Sequence, residues 1–299
     1  CTNARIVGGQ VLCLPIKKER KMKEENKEKK EVKKKKAITL IIIAVILLVA
    51  ALTDTLTVEN FSLAITFLGI AIPTVLITIM YRSKKTTEDE KSRVLAYIPL
   101  FICAVMFWAI ADQSSTILAT FVDTRTDLTI GNFTIPAAWF QSLNPMFIFA
   151  LAPVFALLWT KLGDRGPATS KKFALSLFFS GASFFVMIIP IVMAGDGELI
   201  NPLWVLLSFL LVVIGELLLS PVGLSATTKL APAAFAGQTM ALWFLASAAA
   251  SAINAQLVRI YEVVSDVTYF GVLGGISVLL GVILLIMSPI SQRAMRGIK

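Results

Sequence analysis

Apolar runs of about 20 residues recur along this chain with only short polar breaks between them. A run of that length crosses about 30 Å of hydrocarbon as a helix, and in hydrocarbon the backbone must satisfy its own hydrogen bonds. Eight such runs are read, roughly 37–56, 60–81, 94–121, 143–160, 173–194, 202–228, 235–258 and 268–288. Composition agrees: 57% of the residues are hydrophobic and the mean hydropathy is +0.80, where soluble domains hold about 45–50% apolar residues. A membrane β-barrel would show short alternating segments instead. The expectation is an all-α, polytopic protein of the lipid bilayer.

Charge sets the orientation. Of the formal +9, the run Lys17–Lys36 contributes +7, from twelve Lys/Arg against five Glu. A basic block of this kind invites a nucleic-acid reading. Because it abuts the apolar run at Ala37, it reads instead as a solvated cytoplasmic linker, and no nucleic-acid partner is expected. Beyond Lys36 there are fifteen Lys/Arg, and with eight spans thirteen of them fall on the linker's side; only Arg125 and Arg259 fall on the other. Such a bias marks the cytoplasmic face, so the linker and the C-terminus are both expected there. The stretch "CTNARIVGGQVLCLPI" begins with Cys rather than Met and is too short and mixed to span, so the chain is expected to open inside or after an earlier helix.

Chemistry is sparse. There is no His, and the three Cys (Cys1, Cys13, Cys103) have no metal-ligand spacing. Cys103 sits in an apolar run and reads as a small packing residue. There is no nucleophile–base pair or phosphate-cradling loop, so no enzyme, cofactor or metal is expected. A proton carried through such a domain must ride on a carboxylate.

Two carboxylates lie at membrane depth, Asp112 in the third span and Glu216 in the sixth. Each costs about 2.5–3.5 kcal/mol to insert, and intramembrane acids mark pathways and binding sites. Residues three and four apart share a helix face. Trp108, Asp112 and Ser115/Thr116 make one stripe; Glu216, Ser220, Gly223 and Thr227 a second; Trp243, Ser247, Ser251 and Asn254 a third. Asn144 in "QSLNP" adds an amide at the start of the fourth span. Three polar stripes amid apolar flanks read as helices lining a shared wet cavity. Plainer roles compete: an ion pair or interface position for the acids, a cap before Pro145 for Asn144, packing for the tryptophans, and backbone-bonded hydroxyls for Ser220 and Ser247. The seventh span, "ALWFLASAAASAINAQL", carries the clearest small-residue packing signal.

The segments "FWAIADQSSTIL", "IPAAWFQSLNPMFIFALAPVFALLW", "KLGDRGP", "GELLLSPVGLSATTKLAP" and "GQTMALWFLASA", in this order over about 94–299, resemble the C-terminal half of the proton-dependent oligopeptide transporters of the major facilitator superfamily. The resemblance implies a six-helix bundle at 82–299. It also implies an extra helix pair at 37–81, joined through the Lys-rich segment of 1–36 to an N-terminal six-helix bundle that this chain lacks. It implies proton-coupled symport of di- and tripeptides across the plasma membrane. By motif position, Asp112 matches the carboxylate of proton coupling, Glu216 the partner of the peptide ammonium with Asn144 helping, and Trp108, Ser220, Trp243 and Ser247 the pocket lining. Two departures bear on gating: Ser114 and Ser115 follow "DQ" where many relatives carry Gly, and Ala233 and Ala234 follow "KLAP" where basic residues are common. A facilitator-type porter for another small solute such as nitrate, or a truncated chain with only a structural role, are the alternative readings.

Overall fold

The computed structural model describes residues 5–7, 10–12, 57–195 and 198–295. The span read at 37–56, the Lys-rich run at 17–36, Cys1 and Cys13 lie outside these residues. The chain divides into two compact units, Cys1–Phe61 and Ser62–Lys299. In the first, strand β1 (Arg5–Val7) pairs antiparallel with β2 (Gln10–Leu12).

Helices dominate the remaining described residues, and seven helical segments among them are long and apolar enough to cross a membrane. They match seven of the eight runs read from the sequence. Helix α1 covers Val58–Arg82. The next span runs from Glu88 to Arg125 in three pieces: α2 (Glu88–Ala111), a 3-10 turn (Asp112–Ser115) and α3 (Ile117–Arg125). Strands β3 (Thr129–Ile130) and β4 (Phe133–Thr134) form a small hairpin, its turn opened by Gly131 at φ 60°, the left-handed conformation that such tight turns demand. A 3-10 segment (Ala137–Ser142) leads into α4 (Leu143–Leu162). Then follow α5 (Thr169–Ala194), α6 (Pro202–Leu230), α7 (Ala236–Tyr261) and α8 (Asp266–Ala294).

Local chemistry explains where these helices start. Thr87 and Glu90 form a reciprocal capping box at α2: Glu90 N–H donates to Thr87 Oγ1 (3.3 Å) and Thr87 N–H to Glu90 Oε2 (2.8 Å), satisfying two otherwise orphaned donors. Asn201 caps α6 with Pro202 at its first position, and Ser265 caps α8. Pro73, Pro99, Pro153, Pro190 and Pro221 all fall inside helices, as the bilayer tolerates where neighbouring groups re-satisfy the backbone.

In hydrocarbon the apolar effect does not hold helices together, so close backbone approach and hydrogen bonds must. The tightest seam is α5 against α8. A Cβ at Gly181 would lie 2.8 Å from the Gly274 carbonyl and 2.7 Å from Val278. Ser180 and Ser277 share a hydrogen bond of 2.9 Å, Ser277 Oγ lies 2.9 Å from the Leu177 carbonyl, and Ser170 Oγ donates to Ser291 (3.2 Å). The sequence reading placed its clearest packing signal on α7. That helix does pack closely, with Ala246, Ala249, Ala250 and Ala252 buried, but the small residues of α5 and α8 are dispersed among Leu, Phe and Val and show as a seam only once paired. Against α7 sits α1: Gly69 meets Ala252 and Ala249, Thr66 Oγ1 donates to the Ala252 carbonyl (2.8 Å), and Gln256 Nε2 donates to Ser62 Oγ (2.8 Å) and Thr66 Oγ1 (3.1 Å).

The α5–α8 seam makes a prediction. Gly181→Ala forces a methyl onto the Gly274 backbone and is expected to destabilise by about 1–3 kcal/mol, the usual cost of overpacking. Gly275→Ala, where a Cβ meets nothing within 4 Å, is expected to be neutral or stabilising, since alanine favours helix over glycine. Thermal unfolding of the two variants in detergent checks the contrast.

Candidate functional site

The site begins where the span Glu88–Arg125 breaks. Asp112 ends α2 and opens the 3-10 turn; Thr116, at φ −120° and ψ −93°, ends it before α3 restarts. The span read at 94–121 is present as Glu88–Arg125, with this break inside it. Carbonyls freed by the break find local donors: Ser115 Oγ donates to the Asp112 carbonyl (2.9 Å), and Gln141 Nε2, from the turn before α4, donates to the Ser114 carbonyl (2.8 Å). Ser114 and Ser115 thus both take part in the turn itself.

From the break two adjacent side chains reach α7. Asp112 Oδ2 accepts from Ser251 Oγ at 2.7 Å. Gln113 Nε2 donates to Asn254 Oδ1 at 3.4 Å, while Gln113 Oε1 accepts from Tyr269 Oη of α8 at 2.9 Å. Ser251 and Asn254 are three apart and share a face of α7. Sequence reasoning had placed Asn254 in a cavity-lining stripe. It is instead 5% exposed, accepting from Gln113 through Oδ1 while its Nδ2 is buried without a partner among the described residues. Gln113 and Tyr269 were not read as site residues at all. Gln113 stood in the quoted motif, but nothing in one sequence showed its buried partners.

Glu216 lies midway along α6, half-buried. Asn144 of α4 lies against its carboxylate. Asn144 is the second residue of α4, with Ser142 at the cap position, so it is free of capping duty. Glu216 Oε2, Asn144 Oδ1 and Ser220 Oγ are buried without a hydrogen-bond partner among the described residues. Orphaned polar atoms of this kind in a membrane interior call for an explanation, since each unmet group is costly. The sixth-span stripe divides in its bonding. Glu216 and Ser220 keep unpaired polar atoms, whereas Thr227 is fully buried, 3.0 Å from Tyr97 Oη and donating to the Gly223 carbonyl at 2.8 Å.

Gly223 is the point where α6 and α7 touch. A Cβ there would lie within 2.3 Å of two Trp243 ring carbons, so only glycine admits the ring. Trp243 is 7% exposed; Ser247 stands one turn further along α7, half-buried, followed by the exposed Ser251. Trp108 is half-buried one turn before Asp112, edge-on to Phe107 at 5.7 Å. Trp108, Ser220 and Ser247 are placed by helix position rather than by contacts to the acids. The geometry therefore joins Asp112 to Ser251 and Glu216 to Asn144.

A family model described as the POT family matches residues 11–293. Over 250 residues the chain is 52% identical to a protein of Bacillus subtilis described as an uncharacterised transporter, covering 84% of this chain and 51% of that protein. It is 45% identical over 233 residues to the di-/tripeptide transporter of Lactococcus lactis subsp. cremoris, covering 77% of this chain and 47% of that one. The crystal structure of a peptide transporter POT in complex with sulfate superposes with a TM-score of 0.85 at 53% identity, over 90% of this chain and 55% of the other. The chain thus spans about half the length of the relatives it matches.

The Gly223 contact gives a test of how the site is held. Gly223→Ala is expected to cost about 1–3 kcal/mol, as overpacking does, because Trp243 must be displaced. The double variant Gly223→Ala/Trp243→Leu is expected to recover most of that loss, and a double-mutant cycle of unfolding midpoints measures the coupling.

Proposed function

Because the chain belongs to the POT family, we propose that it forms the C-terminal bundle, with an extra helix pair, of a proton-coupled symporter of di- and tripeptides. The observation that carries this reading is the pairing of two intramembrane acids in different settings: Asp112 held by Ser251 at a helix break, and Glu216 beside Asn144 with an unpartnered carboxylate oxygen. A peptide ammonium needs a desolvated carboxylate, and Glu216 with Asn144 offers one. A proton needs a group that can change its hydrogen bonding, and Asp112 sits where one hydroxyl and a turn of backbone hold it. An ionised Asp112 accepts strongly from Ser251 and a protonated one weakly, because hydrogen bonds to charged acceptors are the stronger ones. Loading a proton would therefore loosen α2 from α7.

Trp108, Ser220, Trp243 and Ser247 line the peptide's path in this reading. The groups that hold the peptide carboxylate belong to an N-terminal six-helix bundle. The open face of α4, on which no residue is fully buried, suits a helix covered by that bundle and by lipid. Residues 82–299 are the transporter bundle, 37–81 the helix pair and 1–36 the cytoplasmic linker region. The protein sits in the plasma membrane with linker and C-terminus in the cytoplasm.

Dialanine uptake by the full-length gene product in proteoliposomes tests the reading. Uptake is expected to rise with an inward proton gradient and to be competed by other dipeptides. Glu216→Gln is expected to weaken apparent affinity about 10- to 150-fold, the worth of one charge-assisted hydrogen bond at about 1.5–3 kcal/mol. Absence of dialanine uptake, or competition only by a non-peptide solute, contradicts it.

A further inference from the structure

The polar cluster behind Asp112 goes further than the transport reading, on which it rests. Gln113 is 1% exposed, and its amide is bound on both sides: it donates to Asn254 Oδ1 at 3.4 Å and accepts from Tyr269 Oη at 2.9 Å. Three helices therefore meet at this one side chain, α2 at its break, α7 and α8. Tyr269 is itself packed edge-on against Tyr261 at 5.0 Å and Phe270 at 5.8 Å, which fixes the direction of its hydroxyl. Gln113 also borders an open apolar cleft of about 640 Å³ between α1, α2, α7 and α8, walled by Ile110, Ile253, Leu257 and Leu273. No polar side chain other than Thr74 and Thr78 of α1 lines that space. If the Gln113 amide left its partners, it would face hydrocarbon.

This arrangement sets two neighbouring residues at the same break in contrast. The Asp112 carboxylate makes one hydrogen bond, to the exposed Ser251. Gln113 makes two to buried partners and is costly to release. We propose that Gln113, with Asn254 and Tyr269, is a positioning device for proton coupling: it fixes the broken span to α7 and α8, so that a change of protonation at Asp112 moves α7. Without the clamp, the break would absorb the change locally. The peptide site would still bind and exchange substrate, but the proton on Asp112 would no longer govern which way it opens.

The experiment compares two activities of the full-length protein in proteoliposomes. One is dialanine counterflow exchange without a gradient; the other is concentrative dialanine uptake driven by an inward proton gradient. Tyr269→Phe removes one hydroxyl and keeps the ring packing, and Asn254→Ala removes the other partner, so folding is protected where Gln113→Leu fails to express. Each variant is expected to keep exchange within twofold of the unmodified protein and to lose concentrative uptake at least tenfold. The Tyr269→Phe/Asn254→Ala pair is expected to lose little more than either alone. Unchanged concentrative uptake in both variants overturns the proposal. A parallel fall of both activities also overturns it, because it marks a merely structural role. Absence of exchange in the unmodified protein overturns the peptide-symport reading itself, and the inference falls with it.

Discussion

A helix that breaks inside a bilayer must re-satisfy every backbone group it frees, because no water is there to do so. The break at Asp112–Ser115 is that point here, and the arrangement of the other helices follows from how it is satisfied. Ser115 and Gln141 take the freed carbonyls. Asp112 and Gln113 then anchor the broken span to α7 and α8. The turn before α4 is drawn to the break by Gln141, which sets the start of α4 and with it Asn144, and so the amide that lies against Glu216.

Two kinds of helix contact share the work. Where α5 meets α8 and α6 meets α7, missing side chains let backbones or a ring approach, and no larger residue fits at Gly181 or Gly223. Such seams have one good geometry. Where α2 meets α7 at Asp112, a single hydroxyl–carboxylate bond joins a half-buried acid to the exposed Ser251, and the strength of such a bond depends on whether the acid carries a proton. In the proposed transport reading, such fixed seams would let the bundle move as a rigid body. At the end of the bundle where α2 begins, Glu90 accepts from the Ala233 amide at 2.8 Å and Ser92 donates to the Ala294 carbonyl at 3.0 Å. These bonds tie the start of α2 to the chain entering α7 and to the end of α8, so motion at the break is held from one side.

Much of this was legible in the sequence, and the limits have physical causes. Apolar run length gave the spans because hydrocarbon thickness is fixed, and the intramembrane acids announced themselves by their cost. Spacing of three and four put Ser251 on a line that reaches Asp112. Spacing cannot say which way a stripe faces, so Asn254, Thr227 and Gly223 were read as lining when all three are buried. Nor can it show that a span breaks, since Asp112–Ser115 has no proline or glycine to mark the turn. The α5–α8 seam stayed hidden because its serines and glycines matter only opposite one another. Gln113 lay in plain view and was passed over because a neutral amide carries no charge penalty to draw notice.

The account turns on Asp112 carrying the proton that accompanies a peptide. The most direct measurement is proton movement driven by a dialanine gradient alone, followed by a pH-sensitive dye inside proteoliposomes clamped at zero membrane potential. The full-length protein is expected to acidify the lumen when dialanine is added outside, and Asp112→Asn to abolish that signal while dialanine exchange continues. Acidification that persists in Asp112→Asn would contradict the account and make the carboxylate a structural pin for α7.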